Sequence, residues 1–357
     1  MTDQGARERI LIVRLSALGD VLQTLQALAA LRAARPQAAL GWAVERRFAD
    51  VLAGHPDIDR LFVLERRPGG GVAANARAFL RLRRELRAWR PDVAVDAQGN
   101  LRGAAVARLS GAPRRIGLPR GEAREGAAHL AGETVPGAPH DREHRADRAL
   151  RLVRPLLAGA SDAPEARLPA VPPAATAVVG AALAELGLAG RPFALLVAGT
   201  SDFGAFKRWP AARFAALAER LLGERGLPVL IGWGPGQEDL AREIAAASRG
   251  AARPAPATSS LAELRALLEA AALVVGADSG PVVLAGVAGR PTVALFGPKD
   301  PAVYAPRGAR THVVWKGAYC SPCVLRRCGD PVCMTDLTPD DAWPAVVVAL
   351  GGAGVTS

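Results

Sequence analysis

The stretch from Leu273 to Pro301 limits the possible fold more than any other part of the chain. An apolar run, Leu273-Val-Val, gives way to Gly276-Ala-Asp-Ser-Gly-Pro, and small residues then continue to Gly289-Arg-Pro. A second apolar run, Thr292-Val-Ala-Leu-Phe, closes at Gly297-Pro. The order is strand, turn, helix, strand. Two continuous apolar strands joined through a helix belong to a parallel sheet with helices on its faces. Ser279 and Gly280 fall at the helix start, where backbone N–H groups and a hydroxyl stabilise an anion such as the diphosphate of a nucleotide-linked substrate. An ordinary βαβ unit with a Ser N-cap fits the same residues equally well.

The pattern occurs twice. Ile10–Leu15, Leu40–Val44, Leu61–Leu64 and Val93–Val95 read as strands, alternating with helical segments over Val21–Ala34 and Arg77–Arg90. The Arg77–Arg90 segment has Phe79, Leu80, Leu82, Leu86 and Trp89 as its expected buried face. Residues 119–143 read as a long loop with one short helix. After a Pro-rich stretch the alternation resumes at Phe193–Val197, Pro228–Ile231 and the opening segment. The expected organisation is an α/β chain of two Rossmann-like, doubly wound domains, 1–165 and 191–335, joined by a linker at 166–190 and followed by a C-terminal helix and tail at 336–357. A length of 357 residues suits two domains. Ligands in such sheets lie beyond the carboxyl ends of the strands, and a tandem pair implies a cleft between domains. The turns at Asp20, Thr200, Gly234 and Ser279 all fall at such ends.

Charge is concentrated. Between Arg60 and Arg154 there are 20 Arg and no Lys against 10 Asp plus Glu, almost the whole of the net +11. That surplus points to an anionic partner such as a phosphorylated lipid or a membrane surface, although an Arg-rich solvated helix accounts for part of it. No helix-turn-helix or RNA-binding signature accompanies it, which disfavours nucleic acid. No apolar run approaches bilayer length. The six-residue apolar segment near Ile10 is too short for a signal-peptide core, so the chain reads as cytoplasmic.

Several residues carry candidate chemistry. Asp20, in the first strand-to-helix turn, suits a general base, and equally suits helix capping. Lys207, one of three Lys beside 42 Arg, follows a Gly-containing loop and suits phosphate as a point charge or is a surface Lys. Glu238, after Gly232-Trp-Gly-Pro-Gly, suits ribose hydroxyls or the helix dipole. Asp57-Ile-Asp59 has the form of a metal-binding D-x-D pair, but its place between a helix and a strand makes a solvated connection the better reading. Cys320, Cys323, Cys328 and Cys333 are the only cysteines, spaced C-x2-C-x4-C-x4-C. In a cytosolic chain such clustering suggests structural zinc or an iron–sulfur cluster.

Together these pieces resemble a known family. Ile10-Leu-Ile-Val-Arg-Leu-Ser-Ala-Leu-Gly-Asp-Val-Leu-Gln-Thr-Leu, Asp96-Ala-Gln-Gly, Lys207-Arg-Trp-Pro, Trp233-Gly-Pro-Gly-Gln-Glu, and Asp278-Ser-Gly-Pro through Phe296-Gly-Pro-Lys-Asp-Pro resemble the ADP-heptose:lipopolysaccharide heptosyltransferases of glycosyltransferase family 9, in order and over nearly the full length. The resemblance implies a GT-B architecture and inverting transfer of a heptose from a nucleotide donor to the lipopolysaccharide inner core, with no cofactor required. It further implies a protein peripheral to the cytoplasmic face of the inner membrane, with an acceptor-binding first domain and a donor-binding second domain. By position it assigns Asp20 as base. Thr200, Ser201, Lys207, Glu238, Asp278, Ser279 and Gly280 become donor contacts, and Arg102, Arg115 and Arg148 acceptor-side residues. One departure stands out: the family usually has His where this chain has Val283, which can neither donate a hydrogen bond nor carry charge, with Lys299 a candidate substitute. Two alternatives follow: a related transferase using another nucleotide sugar, or a catalytically silent nucleotide-sugar or glycolipid binder.

Overall fold

The computed structural model describes residues 7–66, 69–137, 142–157, 159, 164–200, 202–323, 325 and 327–351. The chain divides into two compact units, Met1–Ala170 and Val171–Ser357.

The first unit runs β1 (Arg9–Val13), α1 (Leu18–Ala34), β2 (Ala39–Glu45), α2 (Arg46–Ala49), β3 (Arg60–Leu64), α3 (Val72–Trp89), β4 (Val93–Asp96), α4 (Leu101–Leu109), β5 (Arg114–Gly117), β6 (Glu133–Thr134) and α5 (Arg145–Val153). Its strands form one parallel sheet in the order β3-β2-β1-β4-β5-β6. The core strands are apolar along most of their length because both faces are covered. On one face α3 and α4 bury Leu82, Leu86, Trp89, Val106 and Ala107 against Leu11, Val13, Ala43 and Phe62. The buried aliphatic side chains contribute roughly 1.5–3 kcal/mol each relative to exposure. One residue of the expected α3 face is misplaced: Leu80 is 61% exposed, because it lies across the helix from Leu82, Leu86 and Trp89.

The second unit repeats the plan: α6 (Pro173–Glu185), β7 (Ala194–Val197), α7 (Ala211–Arg225), β8 (Val229–Gly232), α8 (Glu238–Ala247), β9 (Ala252–Pro254), α9 (Leu261–Ala270), β10 (Leu273–Ala277), α10 (Gly280–Val287), β11 (Thr292–Phe296), α11 (Pro301–Tyr304), β12 (Thr311–Trp315), α12 (Val332–Thr335) and α13 (Pro339–Ala349). Its sheet order is β12-β11-β10-β7-β8-β9, also fully parallel. Thr338 opens α13 with a capping box closed by Asp341. Residues 166–190, expected as a linker, include α6, which packs on α9 within the second unit. Its prolines mark a helix start, with Pro173 in the first turn, rather than a break.

In each unit the first strand (β1 or β7) lies at the centre, with the next two strands on one side and the following three on the other. The strand order therefore reverses between β1 and β4 and between β7 and β10. Loops leave in opposite directions at those two points and open a crevice at the carboxyl edge.

Candidate active site

The first switch point is built around Asp20. It lies in the first turn of α1, where its carboxylate is 31% exposed. It pairs with Arg14 Nη2 at 2.5 Å and faces Arg145 Nε, from the start of α5, at 4.0 Å. Burial alone would raise this carboxyl. The two guanidiniums, the Arg14 hydrogen bond and the Ala17 N–H outweigh it and hold the group below the usual carboxylate range. Burial pulls the Arg14 guanidinium down, opposed by Asp20.

The loop carrying Asp20 is held from β4. Gln98 Oε1 accepts from the N–H groups of Leu15 (2.9 Å) and Ser16 (3.1 Å). Arg14 Nη1 donates to the Ala97 carbonyl. Asp96, the buried last residue of β4, accepts from Gln98 N at 3.0 Å and Gly99 N at 3.2 Å and so fixes the turn. Burial pushes its carboxyl up to about 7 despite those donors and Arg14. Gly103 on α4 packs so closely that a Cβ there would run into Gln98 and Asp96. The Asp96-Ala-Gln-Gly motif is thus a brace for the β1–α1 turn.

The three acceptor-side arginines are placed differently from one another. Arg102 Nη1 pairs with Glu45 at 2.7 Å, and Glu45, only 1% exposed at the end of β2, also holds Arg47 at 3.0 Å. Arg115 on β5 donates to the carbonyls of Ala112 (3.0 Å) and Leu130 (3.4 Å). Arg148 is buried on α5, one turn beyond Arg145, and lies 3.5 Å from Glu143. Burial brings its guanidinium down to about 10.

The second switch point carries the opposite polarity. Lys207, at the end of the short 3-10 segment Asp202–Lys207, reaches Asp278 Oδ2 at 2.5 Å and so spans from the loop after β7 to the loop after β10. Next in the chain, Ser279 caps α10 in extended geometry without using its side chain, and its buried Oγ has no hydrogen-bond partner among the described residues. A buried hydroxyl left unpaired is unfavourable unless something else occupies it. Gly276 permits the close approach: a Cβ there would sit 2.7 Å from the Val197 carbonyl. Thr200 is buried, its Oγ1 accepting from Arg208 Nε at 3.1 Å, and its carbonyl takes the Gln237 side-chain amide. Gln237 therefore ties the Gly234 turn to the Thr200 turn. Ser201 lies outside the described residues.

Glu238 begins α8, and its recorded partner is Arg242 at 2.6 Å, an exposed i,i+4 pair. Val283 is 3% exposed, inside the apolar body of α10. Lys299 donates to the Cys323 carbonyl at 2.9 Å and lies 5.8 Å from the centre of the Phe206 ring, one residue before Lys207.

The sequence profile of glycosyltransferase family 9 (heptosyltransferase) matches residues 79–331. The chain belongs to this family. The lipopolysaccharide heptosyltransferase 1 of Pseudomonas aeruginosa is 31% identical over 354 residues, spanning 93% of this chain and 95% of that protein. A family 9 glycosyl transferase of Veillonella parvula superposes with a TM-score of 0.80 at 22% identity, over 97% of this chain and 98% of that one. Escherichia coli heptosyltransferase WaaC with ADP gives 0.72 at 24% identity, over 96% and 99%. The two superpositions establish the fold, which is GT-B. This family 9 chain is accordingly an enzyme.

The cysteines of this family 9 enzyme form neither a disulfide nor, among the described residues, a ligand set of three or more His, Cys, Asp or Glu side chains. Cys323 Sγ accepts from Leu325 N at 3.4 Å, Cys328 Sγ donates to the Asp330 carbonyl at 3.1 Å, and Cys333 is buried on α12. Burial, with Cys320 and Cys328 nearby, raises the Cys333 thiol. Asp57-Ile-Asp59 is no solvated connection. Asp57 is buried against Arg167 at 2.8 Å, and Asp59 holds Arg7 (2.8 Å), Arg32 (2.6 Å) and Leu40 N (2.8 Å). The two carboxylates thus go to separate structural partners.

Proposed function

We propose that this protein is an inverting glycosyltransferase that moves a heptose from ADP-heptose to the inner core of lipopolysaccharide. The observation that carries the reading is the Lys207–Asp278 bridge across a topological switch point, beside a helix start whose Ser279 hydroxyl is unsatisfied. Cation, helix N-terminus and vacant hydroxyl together suit a nucleotide diphosphate. In this reading residues 191–335 hold the donor and residues 1–165 bind the acceptor. Thr200, Ser201, Lys207, Ser279 and Gly280 meet the donor phosphates, Asp278 the sugar and Glu238 the ribose.

Asp20 takes the proton from the acceptor hydroxyl as that oxygen attacks the anomeric carbon. The bond to the diphosphate breaks, and the charge on departing ADP is met by Lys207 and the α10 N-terminus. Those fixed positive groups do what a metal does elsewhere, so no cofactor is needed. Arg14 and Arg145 keep Asp20 ionised and ready to accept. Arg102, Arg115 and Arg148 are the proposed acceptor contacts, matching an anionic glycolipid. Such an acceptor puts the protein at the cytoplasmic face of the inner membrane as a peripheral enzyme. Among the described residues no helix is long and apolar enough to cross a membrane.

The test is transfer from ADP-heptose to a heptose-free core acceptor, followed by mass spectrometry of the product. Donor binding without transfer or hydrolysis would turn the protein into a silent binder. A second reading, transfer from another nucleotide sugar, is favoured by Val283, whose buried isopropyl group gives the donor no polar contact. A thermal-shift panel of ADP-, GDP-, UDP- and dTDP-sugars separates the two, and the largest shift is expected with ADP-heptose.

A further inference from the structure

Helix α3 has two unlike faces. One is buried in the sheet, with Trp89 edge-on to Phe62 at 5.3 Å between ring centres. The other holds Leu80, with Arg77 one turn before it and Arg83 and Arg84 one turn after. The helix carries five arginines and a single acid, Glu85, which is engaged by Arg81 at 3.1 Å. Among the described residues Arg77, Arg83 and Arg84 have no ion-pair partner. Val72, the first helical residue, is 89% exposed. It follows the connection from the carboxyl end of β3, so the α3 N-terminus starts from the sheet edge that also carries Asp20.

A single exposed leucine is ordinary. A leucine ringed by uncompensated guanidiniums, with an exposed valine at the helix start, has the composition of an interfacial helix. We infer that the outward face of α3 is the surface through which this enzyme settles on an anionic phospholipid bilayer. The inference rests on the membrane-peripheral reading above and deepens it by naming the contact. The arginines meet the lipid phosphates, and Leu80 and Val72 enter the headgroup region. A nucleic-acid duplex would satisfy the arginines but offer those two side chains nothing, so the mixed character favours lipid.

The experiment is co-sedimentation of the full-length protein with phosphatidylglycerol/phosphatidylethanolamine vesicles and with neutral phosphatidylcholine vesicles. The proteins are wild type, a triple R77E/R83E/R84E variant and Leu80→Asp. Wild type is expected on the anionic vesicles only, released by salt. The triple variant should lose at least about tenfold in partitioning, since each basic residue near an anionic surface strengthens binding several-fold. Leu80→Asp should lose a few-fold. Both variants should keep the wild-type rate on a detergent-dispersed acceptor. Equal binding of wild type to the two vesicle types would overturn the inference, as would a triple variant that partitions like wild type. Reduced heparin retention with unchanged vesicle binding would assign the face to a soluble polyanion instead, and would also overturn it. Failure of wild-type transfer in detergent would sink the catalytic reading alone, because vesicle partitioning is read independently.

Discussion

The two switch points share a topology and differ in what they leave open. At the β1/β4 point Asp20 lies between Arg14 and Arg145 and the turn is tied down by Gln98 and Asp96, while Arg14 Nε is buried with no hydrogen-bond partner among the described residues. At the β7/β10 point a lysine crosses to an aspartate, and a buried hydroxyl at a helix start has no partner among the described residues. The first presents one ionised carboxylate between two guanidiniums. The second presents a lysine beside a helix start. A strand order read alone places a ligand at both; in the proposed mechanism the first supplies the base and the second holds the donor.

The sharpest way to break this contrast is Asp20→Asn. The amide keeps the shape and an acceptor for Arg14 but cannot take a proton. Turnover should fall about 10²–10⁴-fold while ADP affinity, read by calorimetry, stays unchanged. Full activity would remove Asp20 from the mechanism. Lys207→Ala comes next, with a loss on the order of 10²-fold in turnover and weaker ADP binding. Lys207→Arg should not restore it, since a planar fork does not replace a point charge seated on Asp278. An unchanged ADP affinity in Lys207→Ala would move the donor elsewhere. Gln98→Ala is smaller: loosening the Leu15–Ser16 backbone should lower kcat roughly tenfold and leave the donor KM alone. Gln98→Glu, which retains both acceptances, should recover much of it. Equal losses in the two variants would mean that the brace has no positioning role.

The sequence made the central strands legible and hid the edges. Leu273–Ala277 and Thr292–Phe296 are apolar because both faces are covered, and that signal survives in one dimension. Arg114-Arg-Ile-Gly and Glu133-Thr sit at or near the sheet margin, where short polar strands look like loops. On the site, Asp20, Lys207 and the Asp278–Gly280 turn stand at strand ends and carry local patterns. Arg14 and Gln98 lie within the quoted motifs but carry no sign of their bracing role, and Arg145 lies in none of them. Arg145 is distant from Asp20 in sequence, and only the packing of α5 on α1 brings the two together. Leu80 shows the reverse error: an apolar residue was assigned to the core when its helical angle points outward.

pH sharpens the comparison further, because the two carboxyls of the first point shift in opposite directions. Asp20 is depressed, so its contribution to stability is present above the ordinary carboxylate range and is lost as pH falls through its lowered folded value. Asp96 is raised to about 7 from 3.8, so the folded state holds a proton that the unfolded state has released. Its contribution is present below the ordinary range and disappears as pH rises to about 7. Asp96→Asn keeps an acceptor for Gln98 N and Gly99 N and cannot ionise. Its melting temperature should therefore lack the decline that wild type shows between about pH 4 and pH 7. Parallel profiles would mean that Asp96 titrates normally.

The smallest effect has the most informative sign. If the Ser279 hydroxyl serves donor binding rather than the fold, Ser279→Ala should leave the ligand-free protein as stable as wild type or stabler, by up to about 1 kcal/mol. The same change should weaken ADP binding a few-fold, so that the thermal shift on adding ADP shrinks while the starting melting temperature holds or rises. A drop in the ligand-free melting temperature with an unchanged ADP shift would reverse the assignment: the hydroxyl would then support the α10 start, and the β7/β10 point would be as closed as its counterpart.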